Sequence, residues 1–231
     1  MEISIWSDIR CPFCYIGKRN FESALDKFKY KDKVKLEWKS FELDPTMQTR
    51  TDISAIDHFC ESKGVEREQA MQMFNGAVQM AKAVGINFDL AQSVPANSLK
   101  AHRLLHFAKG KIEVDNLKEA LLEAHLVKGE NIDDIGYLVS LAKSKGLDGA
   151  EVRAMLESDD FTYEVRQDQM EARNLGIGGV PYFVVNNKFG ISGAQPSEVF
   201  LEALEKAYEN QQEEALEVKS DGSCSVDGEC N

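Results

Sequence analysis

Residues 7–17 read SDIRCPFCYIG, setting Cys11 and Cys14 with two residues between them at the point where a strand-like run gives way to a helical one. Just before them, EISIWS (2–7) alternates apolar and polar residues as a short strand does, and from Tyr15 onward Phe21, Leu25 and Phe28 recur at helical spacing. Next, VKLEWKSF (34–41) sets Val34, Leu36 and Trp38 against Lys35, Glu37 and Lys39, the alternation of a half-buried strand. Strand, helix and strand inside the first 41 residues predict a βαβ unit with its two strands parallel.

Beyond Pro45 the texture becomes helical for more than a hundred residues. One helix is expected over Glu66–Val84, with Ala70, Met73, Phe74, Ala77, Val78 and Ala81 on a stripe, and another over Ser98–Ala108, closing at Gly110. Asp115 is the expected cap of a helix ending at Gly129, and Asp133 or Asp134 of one ending at Gly146. Strand character returns at YFVVN (182–186) and, past Asn187, at Lys188–Ser192, a β-hairpin. A last helix starts near Pro196 with Val199, Phe200, Ala203, Leu204 and Ala207 on one face, and a flexible acidic tail is expected over 211–231. The fold class is α/β: residues 1–51 and 161–210 form one discontinuous domain around a helical insertion at 52–160.

A content of 43% hydrophobic residues in 231 is enough to bury a core. Lys and Arg number 27 against 39 Asp and Glu, a net charge of -12, which argues against nucleic acid or an anionic membrane as partner. With neither a basic, apolar leader at MEISIWSDI nor a run of about 18 apolar residues, the chain reads as cytoplasmic. In a reducing compartment a Cys-x-x-Cys pair is more often catalytic or metal-binding than a structural bridge. A zinc half-site needs two further ligands at comparable spacing, and the next cysteine is Cys60, so no metal is expected and the redox reading leads.

That reading has a physical basis. A thiol attacks only as thiolate, and the unpaired N–H groups and positive dipole end of a helix N-terminus favour negative sulfur at Cys11. Pro12, with no N–H, suits the first turn, and Arg10 and Lys18 add positive potential. Cys14, one turn on, is placed to close a disulfide and release a partner bound to Cys11. Asp8 is a candidate proton relay for Cys14, or more simply a loop carboxylate. His102 and His106 stand one helical turn apart but read as packing residues, Cys60 as a small buried or half-buried one, and Met71, Met73 and Met80 as core fillers ahead of groove lining.

The Asp8 placement, CPFCYIG, NSLKAHRLLHFA (97–108), EALLEAHLVKGENIDD (119–134) and GIGGVPYFVVNNKFGISGAQP (176–196) together resemble the DsbA-like branch of the thioredoxin superfamily, and within it the FrnE-type oxidoreductases. Their architecture is shared with 2-hydroxychromene-2-carboxylate isomerases and kappa-class glutathione transferases. The resemblance implies a thioredoxin fold, βαβ then β-hairpin and C-terminal helix, with a large helical insertion. It implies a thiol-disulfide oxidoreductase with Cys11 attacking and Cys14 resolving, and no required cofactor beyond the redox-active disulfide. Protein thiols and disulfides are the implied partners, with glutathione or a thioredoxin-type reductant as reductant or co-substrate. Val180–Pro181 is implied to be cis, beside the cysteines, so that Pro12, Phe13, Gly179, Val180 and Pro181 receive an extended substrate segment. Phe13, with neither charge nor donor, implies a less oxidising pair than histidine there would give.

The isomerase and transferase relatives carry serine where this chain has Cys11 and use bound glutathione, which keeps a glutathione-dependent isomerase or transferase as the alternative; a metal-binding or holdase protein is the third reading. Cys224 and Cys230 resemble the accessory C-terminal pair of some FrnE-type proteins, implying a second redox couple; metal binding or an inert tail are the other readings of SCSVDGEC. Direction of electron flow, clients and oligomeric state are not encoded in these motifs.

Overall fold

The computed structural model of the chain describes residues 1–221, with side chains as far as Gln212; Cys224 and Cys230 lie outside the described residues. In chain order come β1 (Glu2–Ser7), α1 (Pro12–Lys27), β2 (Lys35–Ser40), α2 (Ala55–Lys63), α3 (Arg67–Ala83), α4 (Leu99–Ala108), α5 (Val114–Leu126), α6 (Ile135–Ser144), α7 (Gly149–Glu157), α8 (Thr162–Asn174), β3 (Tyr182–Val185), β4 (Phe189–Ser192) and α9 (Ser197–Asp221). The strands form one mixed sheet in the order β2-β1-β3-β4, parallel between β1 and β2 and antiparallel elsewhere. The predicted βαβ unit and hairpin are therefore the two halves of one sheet, with every helix from α2 to α8 inserted between them.

Alternation along β1 sorts its side chains by face. Ile3 and Ile5 join Phe21, Phe183, Phe200 and Leu204 in a core under α1 and α9, while Trp6 points to the opposite face, packs with Ala172, Ile177 and Val184, and donates its Nε1–H to Asp168 O at 2.9 Å. A separate core binds the inserted helices through Leu104, Leu117, Leu121, Leu138 and Val152. Between the two, Tyr15 and Ile16 of α1 meet Ala77, Ala81, Leu122 and Leu126 from α3 and α5, fixing the first turns of α1 against the insertion.

The hairpin loop runs through Asn186, Asn187 and Lys188 between Val185 and its partner Phe189, and Asn186 and Asn187 take the positive φ that asparagine tolerates. Asp134 caps α6, accepting from Tyr137 N. Four expectations need correction. Asp115 lies inside the first turn of α5 behind Glu113 and is taken up by Trp38 Nε1 and Lys18 instead of capping. Val199 is 41% exposed, because the buried stripe of α9 runs through Phe200, Leu204 and Ala207. Met71, Met73 and Met80 are all exposed, the buried stripe of α3 being the small residues Ala70, Ala77 and Ala81. The tail expected from 211 is helical to Asp221, consistent with the helix-favouring Gln, Glu, Ala and Leu of QQEEALE.

Candidate active site

Cys11 is the N-cap residue of α1, in an extended conformation with no side-chain cap, so its sulfur stands where a capping oxygen would and faces the open N–H end of the helix. The two cysteines are unbridged and buried. Cys14 N–H donates to Cys11 O at 3.0 Å, closing the first turn and stacking the two residues one turn apart. The Val180–Pro181 peptide is cis, and Cys11 Sγ approaches Val180 O at 3.6 Å. Gly178 and Gly179 are exposed beside it and Pro181 is buried.

Gly17 permits this approach: a Cβ there would lie 2.9 Å from Pro181 Cγ and 3.5 Å from Ala194 Cα. For Gly17→Ala, the helix-propensity gain of about 1 kcal/mol is outweighed by about 1–3 kcal/mol of overpacking against a ring held on both sides. We expect a lower unfolding midpoint and slower disulfide exchange, measured by thermal denaturation and thiol-release kinetics; a more stable, fully active variant would contradict the packing.

A groove of about 460 Å³ opens beside the pair, lined by Cys11, Phe13, Leu43, Phe59, Met73 and Leu126, among others. Its far wall is α2 and α3, where Phe59 and Phe74 pack edge to face at 5.4 Å. Phe13 at 41% exposure and Met73 at 52% form an apolar rim. Cys11 lines this groove and Cys14 does not. Arg10 also lines it, and its Nη1 is buried without a hydrogen-bonding partner. His125 lies on the groove with its imidazole pushed down to about 4 by burial and by the Arg10 charge, so it is neutral at physiological pH.

The two thiols share their protons. Burial opposes ionisation of Cys14, but the Cys11 thiol, the Ser7 hydroxyl, the Lys118 charge and the Asp8 backbone outweigh it and draw its acidity below that of a free cysteine. Ser7 is buried and its hydroxyl has no other hydrogen-bonding partner. The hydrogen bond to Cys14 holds the Cys11 proton well above the ordinary range, aided by burial and the charges on Cys14 and Asp8. The two thiols thus titrate as a unit. Of the two, the proton is held more firmly at Cys11 than at Cys14, while the N–H groups at the start of α1 favour negative sulfur at Cys11.

Lys18, expected to add positive potential, is instead buried and neutralised by Glu22, by Asp115 at 3.0 Å and by Glu119 at 3.1 Å. Asp8 lies in the loop before α1, fully buried. Its carboxylate accepts from Leu43 N at 2.8 Å and Arg10 N at 3.2 Å, and lies 3.4 Å from His102 Nε2. Burial alone would raise its proton affinity; the bond to and charge of His102, then Arg10 and the Leu43 N–H, overcome that and hold it far below the usual carboxylate range. His106, one turn from His102, meets Asp168 Oδ2 at 3.0 Å and Ser40 Oγ at 3.1 Å. Both histidines are pinned to carboxylates of neighbouring elements, and among the described residues no metal-holding group of three or more His, Cys, Asp or Glu is present.

Lys118 was not singled out from the sequence. It is 1% exposed on α5, with Nζ 5.2 Å from the Trp38 ring, and it feels the charges of Cys14, Asp8 and Cys11. The available signal was its position: Lys118 shares the buried stripe of α5 with Leu121, Leu122 and His125, where a lysine is unexpected.

The chain matches the DsbA-like thioredoxin domain over residues 2–205. It belongs to that family. This DsbA-like chain is 32% identical over 208 residues to the uncharacterized protein YwbO of Bacillus subtilis (strain 168), covering 88% of this chain and 96% of that one. It superimposes on the probable DsbA oxidoreductase SCO1869 from Streptomyces coelicolor with a TM-score of 0.84 and 38% identity, covering 90% of each chain. The cytosolic disulfide reductase DsbM from Pseudomonas aeruginosa, solved with GSH, shares the fold at a TM-score of 0.65 and 14% identity, covering 90% of this chain and 100% of that one. Thioredoxin-fold oxidoreductases are thus the chain's structural kin, and no helix among the described residues is long and apolar enough to cross a membrane.

Proposed function

We propose that this DsbA-like protein is a thiol-disulfide oxidoreductase that exchanges disulfides with protein substrates in the cytoplasm through Cys11 and Cys14. One observation carries the reading: of the two free cysteines at the start of α1, only Cys11 lines an apolar groove, its sulfur 3.6 Å from Val180 O. An extended substrate segment lies along Gly179, Val180 and Pro181, offering backbone groups to Val180, while Pro12 and Phe13 hold its apolar side chains. Cys11 attacks its disulfide, passing its proton to Cys14 through the hydrogen bond between them; Cys14 then displaces the substrate. No cofactor beyond the pair is required. Glutathione or a thioredoxin-type protein restores the dithiol, and Cys224 and Cys230 supply an accessory couple.

A second reading is favoured by Arg10, whose buried, unpartnered Nη1 on the groove suits a carboxylate of a small thiol peptide such as glutathione bound as co-substrate. Equilibration in glutathione buffers of graded potential, quenched with a thiol-reactive mass tag, separates the two. Disulfide exchange requires a two-electron transition of the Cys11–Cys14 pair, beside any of Cys224 and Cys230; stable glutathione adducts on Cys11 with no Cys11–Cys14 bond would sink it. In the same assay Phe13→His, adding a donor and partial charge beside the thiolate, is expected to raise the potential by about 30 mV or more. An unchanged or lower potential would show that Phe13 does not restrain oxidising power.

A further inference from the structure

We propose that Arg10 selects protein disulfides in which an acidic side chain stands two residues from the cysteine that Cys11 attacks. The inference rests on the disulfide-exchange reading above and names the class of substrate for it. Arg10 directly precedes Cys11 and lines the same groove. Its backbone N–H donates to Asp8 Oδ1 at 3.2 Å, but its guanidinium is in no ion pair among the described residues, and Nη1 is buried without a hydrogen-bonding partner. A buried cation left unpaired is costly, and the cost is lifted when a ligand brings the opposite charge.

The groups nearby do not bring it. Asp8 is enclosed and already bound to Leu43 N, Arg10 N and His102 Nε2. Asp44, a carboxylate on the groove, accepts from Thr46 N at 3.0 Å and Thr46 Oγ1 at 2.8 Å through one oxygen. Lys63, at the end of α2 on the far wall, is a second cation. His125 is 5% exposed and faces the same groove with its Nδ1 unpartnered; as a neutral imidazole it compensates no charge. Two unpartnered buried polar groups among apolar walls of Phe59, Phe74, Leu90 and Leu126 suit an occupant that is apolar along its length and carries a carboxylate at the Cys11 end.

The register follows from the chain. Side chains of an extended segment alternate, so the substrate cysteine facing Cys11 shares its side with the residues two before and two after it, each about 7 Å away. Arg10 stands about 3.8 Å from Cys11 at the Cα level, which puts that distance within the span of its own side chain. A carboxylate there meets the guanidinium fork with paired hydrogen bonds. A glutamine in its place leaves the cation uncompensated and a lysine adds another, so the discrimination lies in what the wrong side chain leaves unpaired. The net charge of -12 opposes acidic partners at long range, so a preference for them has to originate in the groove.

The test uses the full chain carrying Cys60→Ser, Cys224→Ser and Cys230→Ser, so that Cys11 and Cys14 are its only thiols. The reduced protein is mixed with disulfide-linked dimers of end-blocked heptapeptides that have a central cysteine and glutamate, glutamine or lysine two residues before or after it. Each rate is divided by the rate with dithiothreitol, which removes intrinsic differences between the peptides, and is read at about 0.5 M salt, where long-range steering is screened. The protein with Arg10 intact should reduce a glutamate peptide about ten- to a hundredfold faster than its glutamine counterpart at one of the two positions. Arg10→Gln should bring that ratio to within about twofold of one, and Arg10→Glu should turn the preference toward lysine. The ratio cancels any general effect of Arg10 on Cys11 reactivity, and its value with Arg10 intact decides the matter even if a variant folds poorly. Equal rates for glutamate and glutamine, or a glutamate preference that survives Arg10→Gln, overturn the inference and leave the exchange reading intact. Equal peptide rates together with slower reduction of the oxidised pair by glutathione in Arg10→Gln assign the carboxylate to glutathione and likewise overturn it. Failure to reduce any of the peptides overturns both.

Discussion

Cys11→Ser is expected to lower reduction of a disulfide-bonded protein such as insulin by about a thousandfold or more, as loss of a nucleophile does elsewhere. Cys14→Ser is expected to stop the reaction after a single event. The asymmetry follows from access: Cys11 lines the groove and Cys14 is enclosed behind it, so removing the outer sulfur leaves no thiol within reach, whereas removing the inner one spares the attack. Cys14→Ser should therefore accumulate a covalent adduct through Cys11, visible as one substrate mass added to the intact protein and lost on treatment with excess dithiol. Cys11→Ser should form none. Adduct at Cys14 in the Cys11 variant, or turnover retained by either, would reverse the assignment.

Asp8→Ala is expected to cost about 3–5 kcal/mol, the scale for breaking a buried charge pair. The side chains of Asp8 and His102 are both 0% exposed, and the truncation strands two backbone N–H groups and one face of the imidazole at once. Denaturant unfolding measures the loss; a change under 1 kcal/mol would contradict it. The pH dependence has a definite sign. Because the Asp8 carboxyl is more acidic folded than unfolded, its contribution is complete above about pH 5, beyond the ordinary carboxylate value, and is lost as pH falls toward its depressed folded value. Wild type should lose stability along that acid limb, and Asp8→Ala should be flatter there. With its charge removed, the Cys11 proton should also leave more readily, since Asp8 helps to hold it.

Much of the architecture is legible in local patterns because each pattern has one physical meaning. The alternation in EISIWS puts Ile3 and Ile5 on one face of β1, and Asn186–Asn187 between apolar runs accepts the positive φ that a tight hairpin needs. The cysteine pair is legible for the same reason, since proline in a first turn after an uncapped residue marks a helix start. What escaped depends on partners distant in the chain. Asp115 looks like a cap until Trp38 and Lys18 claim it. His102 looks like packing until Asp8, 94 residues earlier, meets it. The methionines of α3 look like core until the alanines prove to be the face that fits α1 and α5. Lys118 escaped because a single lysine in EVDNLKEALLEAHL reads as a solvated residue, and only the burial of its stripe shows otherwise.

The sheet joins its first strand to one formed near the far end of the chain: Ile3 pairs with Val185. During synthesis Cys11 and Cys14 leave the ribosome long before Val180 and β3 exist, an interval of about ten to thirty seconds at usual elongation rates. Throughout that time the sulfur pair lacks the carbonyl and the proline that later cover it. The nascent protein thus exposes two bare thiols until β3 is made, so any thiol chemistry during translation proceeds without the groove that later flanks Cys11.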